Sequence, residues 1–198
     1  MDETIFEWIN GLAGKSAALD RVMIWLANDY FVPVTISLIL LAIWFIGNSR
    51  EQREGLQRAT IVTFISIGSA CGFVLAANHI YHHPHPFDPE AMPGLLDTTV
   101  KDIYYKIHDP SFPSNTSAVT FAAATGLFQY KRKLGLLMLI PAILMPLAKV
   151  YAGVYWPSDI AAGAALGILT AYFIKLIMPV FEPIVSRAFI LLRKLCLA

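Results

Sequence analysis

Charge is what this sequence has least of. Only 15% of its 198 residues are Asp, Glu, Lys or Arg, against 57% hydrophobic residues and a mean hydropathy of +0.59. A soluble domain carries about 25% charged and about 45–50% apolar residues, so an ordinary soluble domain is excluded. The net charge is +1, which offers no basic face for nucleic acid, and no nucleic-acid motif is present. Cysteine is scarce too. Cys71 and Cys196 lie far apart in apolar contexts, which excludes a disulfide framework or a paired-cysteine metal site. Each reads as an inert, buried or lipid-facing thiol. Residues 1–14 are acidic and lack a basic start before an apolar core, so no cleavable leader is expected there.

What is present is apolar sequence in long blocks. The expected class is all-α: a polytopic membrane helix bundle of five to six spans in a single domain, 1–198, with interfacial helices at both ends. In residues 1–29, Ile5, Trp8, Ile9 and Leu12 share one helical face, which predicts an amphipathic helix or helix pair on the bilayer surface. Spans are predicted over 30–47, 59–77, 114–130, 134–151 and 159–178. Gly68, Ser69, Ala70 and Gly72 in the second span, and Ala161 to Ala165 with Gly167 in the fifth, predict close helix packing. Pro141 and Pro146 should bend the fourth span, and Pro179 and Pro183 should end the fifth. The tail, with Arg187, Arg193 and Lys194 among apolar residues, reads as interfacial.

Basic residues set the orientation. Segments 48–58 and 131–133 and the tail are rich in Arg and Lys, and five spans place all three on the cytoplasmic side. The N-terminal segment and the acidic 78–113 loop then lie outside, with Asp88, Glu90, Asp97, Asp102 and Asp109 against Lys101 and Lys106.

That topology gathers polar residues at the outer face. They are Asn78, His79, His82, His83 and His85, then Ser114, Asn115 and Thr116, then Lys149 and Tyr151, then Tyr155 and Asp159. Ser114 to Thr116 opens a helix whose free N–H groups and dipole suit an anion. Lys149 sits at the end of an apolar helix and needs an anion or a route to water. Tyr155 and Asp159, four apart, share a face if the turn continues as helix. Together they suit a phosphate or diphosphate whose lipid tail lies in the bilayer. Each also has a plainer reading: an N-cap, a snorkelling lysine, an aromatic anchor.

Three blocks carry a resemblance. They are His83-Pro84-His85-Pro86, then Pro113-Ser114-Asn115-Thr116, then Ala148-Lys149 through Tyr155-Trp156-Pro157-Ser158-Asp159. Their order and spacing resemble the signature blocks of the type 2 phosphatidic acid phosphatase and haloperoxidase superfamily, and within it the bacitracin-resistance type of undecaprenyl-diphosphatase. The resemblance spans nearly the whole chain. It implies that Asn78 stands in the place of the family's lysine, and that His85 and Lys149 stand in the places of its two phosphate-holding arginines. Ser114 and Asp159 match. Thr116 stands where the family has a histidine that protonates the leaving group, and Tyr155 where it has the attacking histidine that the aspartate orients. A tyrosine, with an unperturbed pKa of about 10, attacks poorly without activation, and a lost acid alone costs about 10²–10⁴-fold.

The expectation is a membrane protein with impaired or lost hydrolysis that keeps a lipid-phosphate-binding or membrane-subunit role. Tyr155, Asp159 and Thr116 occupy the catalytic places, and Asn78, His83, His85, Ser114, Asn115 and Lys149 the substrate-contact places. The alternative is an active lipid diphosphatase rerouted through His83, His85, His108, Tyr155 and Asp159. The expected partner is a membrane lipid, such as a polyprenyl phosphate or diphosphate, with no nucleic acid and no cofactor. His82-His83-x-His85 lacks a regular zinc spacing, so no metal is expected.

Overall fold

The computed structural model describes residues 2–88 and 109–194. Among the described residues every regular element is helical: α1 (Asp2–Asn10), α2 (Ala17–Ala27), α3 (Phe31–Phe45), α4 (Arg50–Ile80), α5 (Asn115–Phe128), α6 (Arg132–Tyr151) and α7 (Pro157–Lys194). Three serines start helices by accepting an otherwise unpaired N–H. Ser16 Oγ accepts from Leu19, Ser49 Oγ from Gln52 and Ser114 Oγ from Ser117. The N-terminus of α7 is capped from far away in sequence: Asp2 accepts the Ser158 N–H at 3.0 Å and the Ser158 hydroxyl at 2.5 Å.

Segments of α4, α6 and α7 are long and apolar enough to cross a membrane. The apolar helix α3 is shorter, and α5, with 14 residues, rises only about 21 Å at 1.5 Å per residue. Large apolar side chains such as Leu137, Ile140, Leu169 and Leu176 point outward on α6 and α7. This is the surface a bilayer covers.

Helix α5 is the hub, packed against α4, α6 and α7 with Ala118, Ala122, Ala123 and Ala124 buried. Helices α5 and α7 run in the same direction and almost touch. A Cβ on Gly163 would lie 2.4 Å from Ser114 O, and one on Gly167 would lie 2.2 Å from Ala118 O. The predicted packing face of α7 is therefore real. The one predicted on α4 is only part right, because Ala70 is buried while Gly68 and Gly72 face open space.

The expectation at the C-terminal end needs correction. Pro179 and Pro183 do not end the last span, because α7 runs through both to Lys194, and the tail is its continuation rather than a separate interfacial helix. Each proline lacks a donor, but packing and side-chain pairing hold the helix. Val185 and Phe189 close on Val62, Ile174 and Met178, and Arg58 pairs with Glu182. Residues 1–29 form the predicted helix pair, whose predicted apolar face is left largely outward for the bilayer while another face docks on the bundle. Phe6 is buried between Val150 and Trp156, while Trp8 is 73% exposed and Ile5 and Leu12 also point outward. Asn10 donates to Tyr151 O at 2.9 Å, and the Tyr151 hydroxyl donates to Asp20 at 2.5 Å.

Candidate functional site

The helix ends that carry the candidate residues meet at one end of the bundle. The close crossing of α5 and α7 brings the start of α5 against the start of α7, so that Ser114 N donates to Asp159 O at 3.1 Å. The turn 152–156 returns the chain from α6 to α7 and places Tyr155 beside both. Its hydroxyl faces the Ser114 side chain. Its ring lies 5.5 Å from Lys149 Nζ and 5.6 Å from the His85 ring. Ser114, Lys149, Tyr155 and Asp159 thus form one cluster, and each is at most 4% exposed.

Burial changes what these groups can do. The Tyr155 hydroxyl is pushed well above the ordinary tyrosine range, first by burial and then by the fields of Asp109, Asp29 and Asp159; only the Ser114 side chain opposes this. Lys149 is ion-paired with Asp29, which sits in the turn between α2 and α3. A buried ammonium requires such a counter-charge. Sequence reasoning identified the need but not the partner, since nothing ties Asp29 to a residue 120 positions away.

His85 is buried in the cluster's interior, at 3% exposure. One ring nitrogen meets Val154 O and the other Asp109 O, each at 2.6 Å, and the ring stacks on Phe87. It ties the 85–88 turn and residue 109 to the 152–156 turn. Asn78 is also occupied structurally. With its amide turned to suit its neighbours, it donates to Phe112 O at 2.9 Å and Val74 O at 3.2 Å. Asn115 and Thr116 are half-buried on the first turn of α5, and Asn115 Oδ1 has no hydrogen-bond partner among the described residues. His79 and His82 are exposed at the end of α4. His108 lies outside the described residues. No group of three or more His, Cys, Asp or Glu side chains suited to a metal occurs among the described residues.

His83 is the histidine that meets the cluster's carboxylate. Its Nδ1 lies 2.8 Å from Ser111 Oγ and 3.5 Å from Asp159 Oδ1. Asp159 Oδ2 is occupied by the Trp156 N–H at 3.0 Å. Ser111 was missed in the sequence. Its position just before Phe112-Pro113-Ser114 is a weak signal that only the fold makes legible. Beside the cluster, an apolar groove of about 190 Å³ lies between α1, α5, α6 and α7, lined by Ile9, Phe121, Ile143, Leu147, Val150 and Ile160.

Comparison with known proteins agrees with this architecture. The chain is 24% identical to undecaprenyl-diphosphatase BcrC of Bacillus subtilis (strain 168), over 94% of this chain and 95% of that one. It is 27% identical to the bacitracin transport permease protein BcrC of Bacillus licheniformis, over 85% of this chain and 76% of that one. Among solved structures, LpxE of Aquifex aeolicus superposes with a TM-score of 0.65 at 23% identity, covering 86% of this chain and 92% of that one. A PAP2-type phosphatidylglycerolphosphate phosphatase from Bacillus subtilis gives 0.60 at 19% identity, covering 88% and 82%. Residues 59–182 match the model of the PAP2 superfamily, and the chain belongs to that family.

Proposed function

We propose that this protein recognises a lipid phosphate or diphosphate at the outer membrane surface and that its hydrolysis is impaired. The observation that carries this reading is Tyr155. By resemblance it stands where the attacking side chain belongs, yet it is buried, and burial and nearby carboxylates disfavour the phenolate that could attack. Lys149, in a phosphate-holding place, already has Asp29 as its counter-ion. A lipid ligand is supported by relatives named as undecaprenyl-diphosphatases. The apolar groove beside the cluster offers room for a segment of lipid chain.

The test is phosphate release from undecaprenyl diphosphate and phosphatidic acid by the purified full chain in detergent, with and without divalent metal. A family phosphatase active under the same conditions serves as the reference. Release should be about 10²–10⁴-fold slower than the reference, the range a missing proton donor costs. A rate equal to the reference, or turnover abolished by Tyr155→Phe, overturns the reading.

A further inference from the structure

We propose that His83, positioned by Asp159 and Ser111, is a surrogate base at this site, and that it limits residual hydrolysis to diphosphates. The inference rests on the lipid-phosphate reading above and assigns the chemistry left to it.

The hydrogen-bond network favours one tautomer of His83. The Ser111 hydroxyl has carbonyl acceptors in His83 O and Pro84 O, both at 3.1 Å. With its hydrogen given to one of these, Ser111 Oγ presents a lone pair to His83 Nδ1 at 2.8 Å. In that arrangement Nδ1 carries the proton. Asp159 agrees with this. It is fully buried, and its Oδ1, with no hydrogen-bond partner among the described residues, lies 3.5 Å from the same Nδ1. That leaves the Nε2 lone pair as the basic position. The His83 side chain is 29% exposed, so water can reach it, and the Tyr81, Phe112 and Trp156 rings surround it at 6.0–6.5 Å. The other described histidines differ. His85 has both nitrogens engaged by carbonyls, and His79 and His82 are exposed on the end of α4. A half-exposed imidazole backed by a buried carboxylate has the geometry of a general base.

The step balances as follows. Water oxygen bonds to the terminal phosphorus while one water proton moves to Nε2. The bond from phosphorus to the bridging oxygen breaks, and its electron pair stays on that oxygen, which leaves as a lipid monophosphate. The imidazolium, facing Asp159, then releases its proton to solvent. A phosphate leaving group departs without a proton, because its last pKa is only about 6. A lipid alcohol needs a proton donor. His83 is already serving as base, and the Thr116 hydroxyl is too weak an acid near neutral pH. Diphosphates, not monophosphates, are the substrate class left open.

The experiment uses the full chain in detergent, with farnesyl diphosphate and farnesyl phosphate as probes. Slow release is expected from the diphosphate and none from the monophosphate. His83→Ala should lower the diphosphate rate about 10²-fold or more, with added imidazole restoring part of it, while His82→Ala keeps the wild-type rate. Imidazole rescue reports a missing base and not a misfolded protein. His83→Gln, which keeps size and polarity, serves if the alanine variant does not fold. Asp159→Asn should lower the rate and weaken the solvent deuterium isotope effect of proton transfer. The proposal is overturned if wild type releases nothing above the detergent blank, if His83→Gln keeps the wild-type rate, or if the monophosphate is cleaved as fast as the diphosphate. The first two results leave the impaired-hydrolysis reading standing. Turnover as fast as an active family phosphatase removes that reading, while leaving the His83 assignment to its own variants.

Discussion

Lys149 and Asp29 illustrate how a single buried charge organises a site. Lys149 is 2% exposed and cannot remain charged there without an anion, whereas Asp29 keeps a 32% exposed side chain and can turn to water. Removing one partner of a buried pair is costly mainly when the charge left behind cannot be solvated. The two truncations should therefore be unequal. Asp29→Asn leaves an ammonium under the Tyr155 ring with a weakened counter-charge, and should destabilise by about 1–3 kcal/mol, discounted from the full buried-pair cost because Asp29 is partly solvated. Lys149→Met keeps the volume and frees a carboxylate that can hydrate, and should cost less. The double variant should recover most of the loss. Thermal melts of the four proteins in detergent check this order, and Lys149→Met melting lower than Asp29→Asn would contradict it. The need for an anion was legible in the sequence from a lysine amid apolar residues; its identity was not, because the pairing joins segments far apart in the chain.

At the scale of elements, what could be read was periodic and what could not was tertiary. Ala161 to Gly167 announced a close crossing, and Gly163 and Gly167 make it against Ser114 and Ala118. The equally small Gly68 and Gly72 meet nothing, because small residues permit a contact without requiring one. Pro179 and Pro183 read as stops, but Phe189 and the Arg58–Glu182 pair carry α7 past them. The N-terminal pair shows the same limit. Its apolar face was visible, but Phe6 and Asn10 dock it. Asp20 fastens this pair through Tyr151, whose hydroxyl, followed by the Gly14 N–H, holds the Asp20 carboxyl below the ordinary carboxylate range. A depressed folded value means the tie contributes fully above the unfolded pKa of about 3.9 and is lost as pH falls through the lower folded value. Acidification below about pH 4 should loosen α1 and α2, seen as a change in tryptophan emission from Trp8 and Trp25. Asp20→Asn should remove that acid step, and a step of unchanged size in the variant would assign it elsewhere.

For the whole molecule, charge and function depend on the same axis. Arg50, Arg53 and Arg58 at the start of α4, Lys131 between α5 and α6, and Arg132 and Lys133 at the start of α6 crowd one end of the bundle. The other end has Asp2, Asp20, Asp29, Asp88 and Asp109 around the His83–Asp159 cluster. Such asymmetry orients a membrane protein with its basic end in the cytoplasm, which would put the cluster where lipid phosphates of the outer leaflet can reach it. The helix order was readable from hydropathy, and counting basic residues yields the orientation proposed above. What no count could supply was that Ser114, Lys149, Tyr155 and Asp159 are all buried. Single cysteines in a Cys71→Ser, Cys196→Ser background test the orientation. His82→Cys should react with a membrane-impermeant maleimide in intact cells, and Asn48→Cys only after permeabilisation. The reverse pattern would place the cluster in the cytoplasm. It would also leave a lipid carrier exposed only on the outer surface out of reach, so the same labelling decides which leaflet's phosphates this fold can meet.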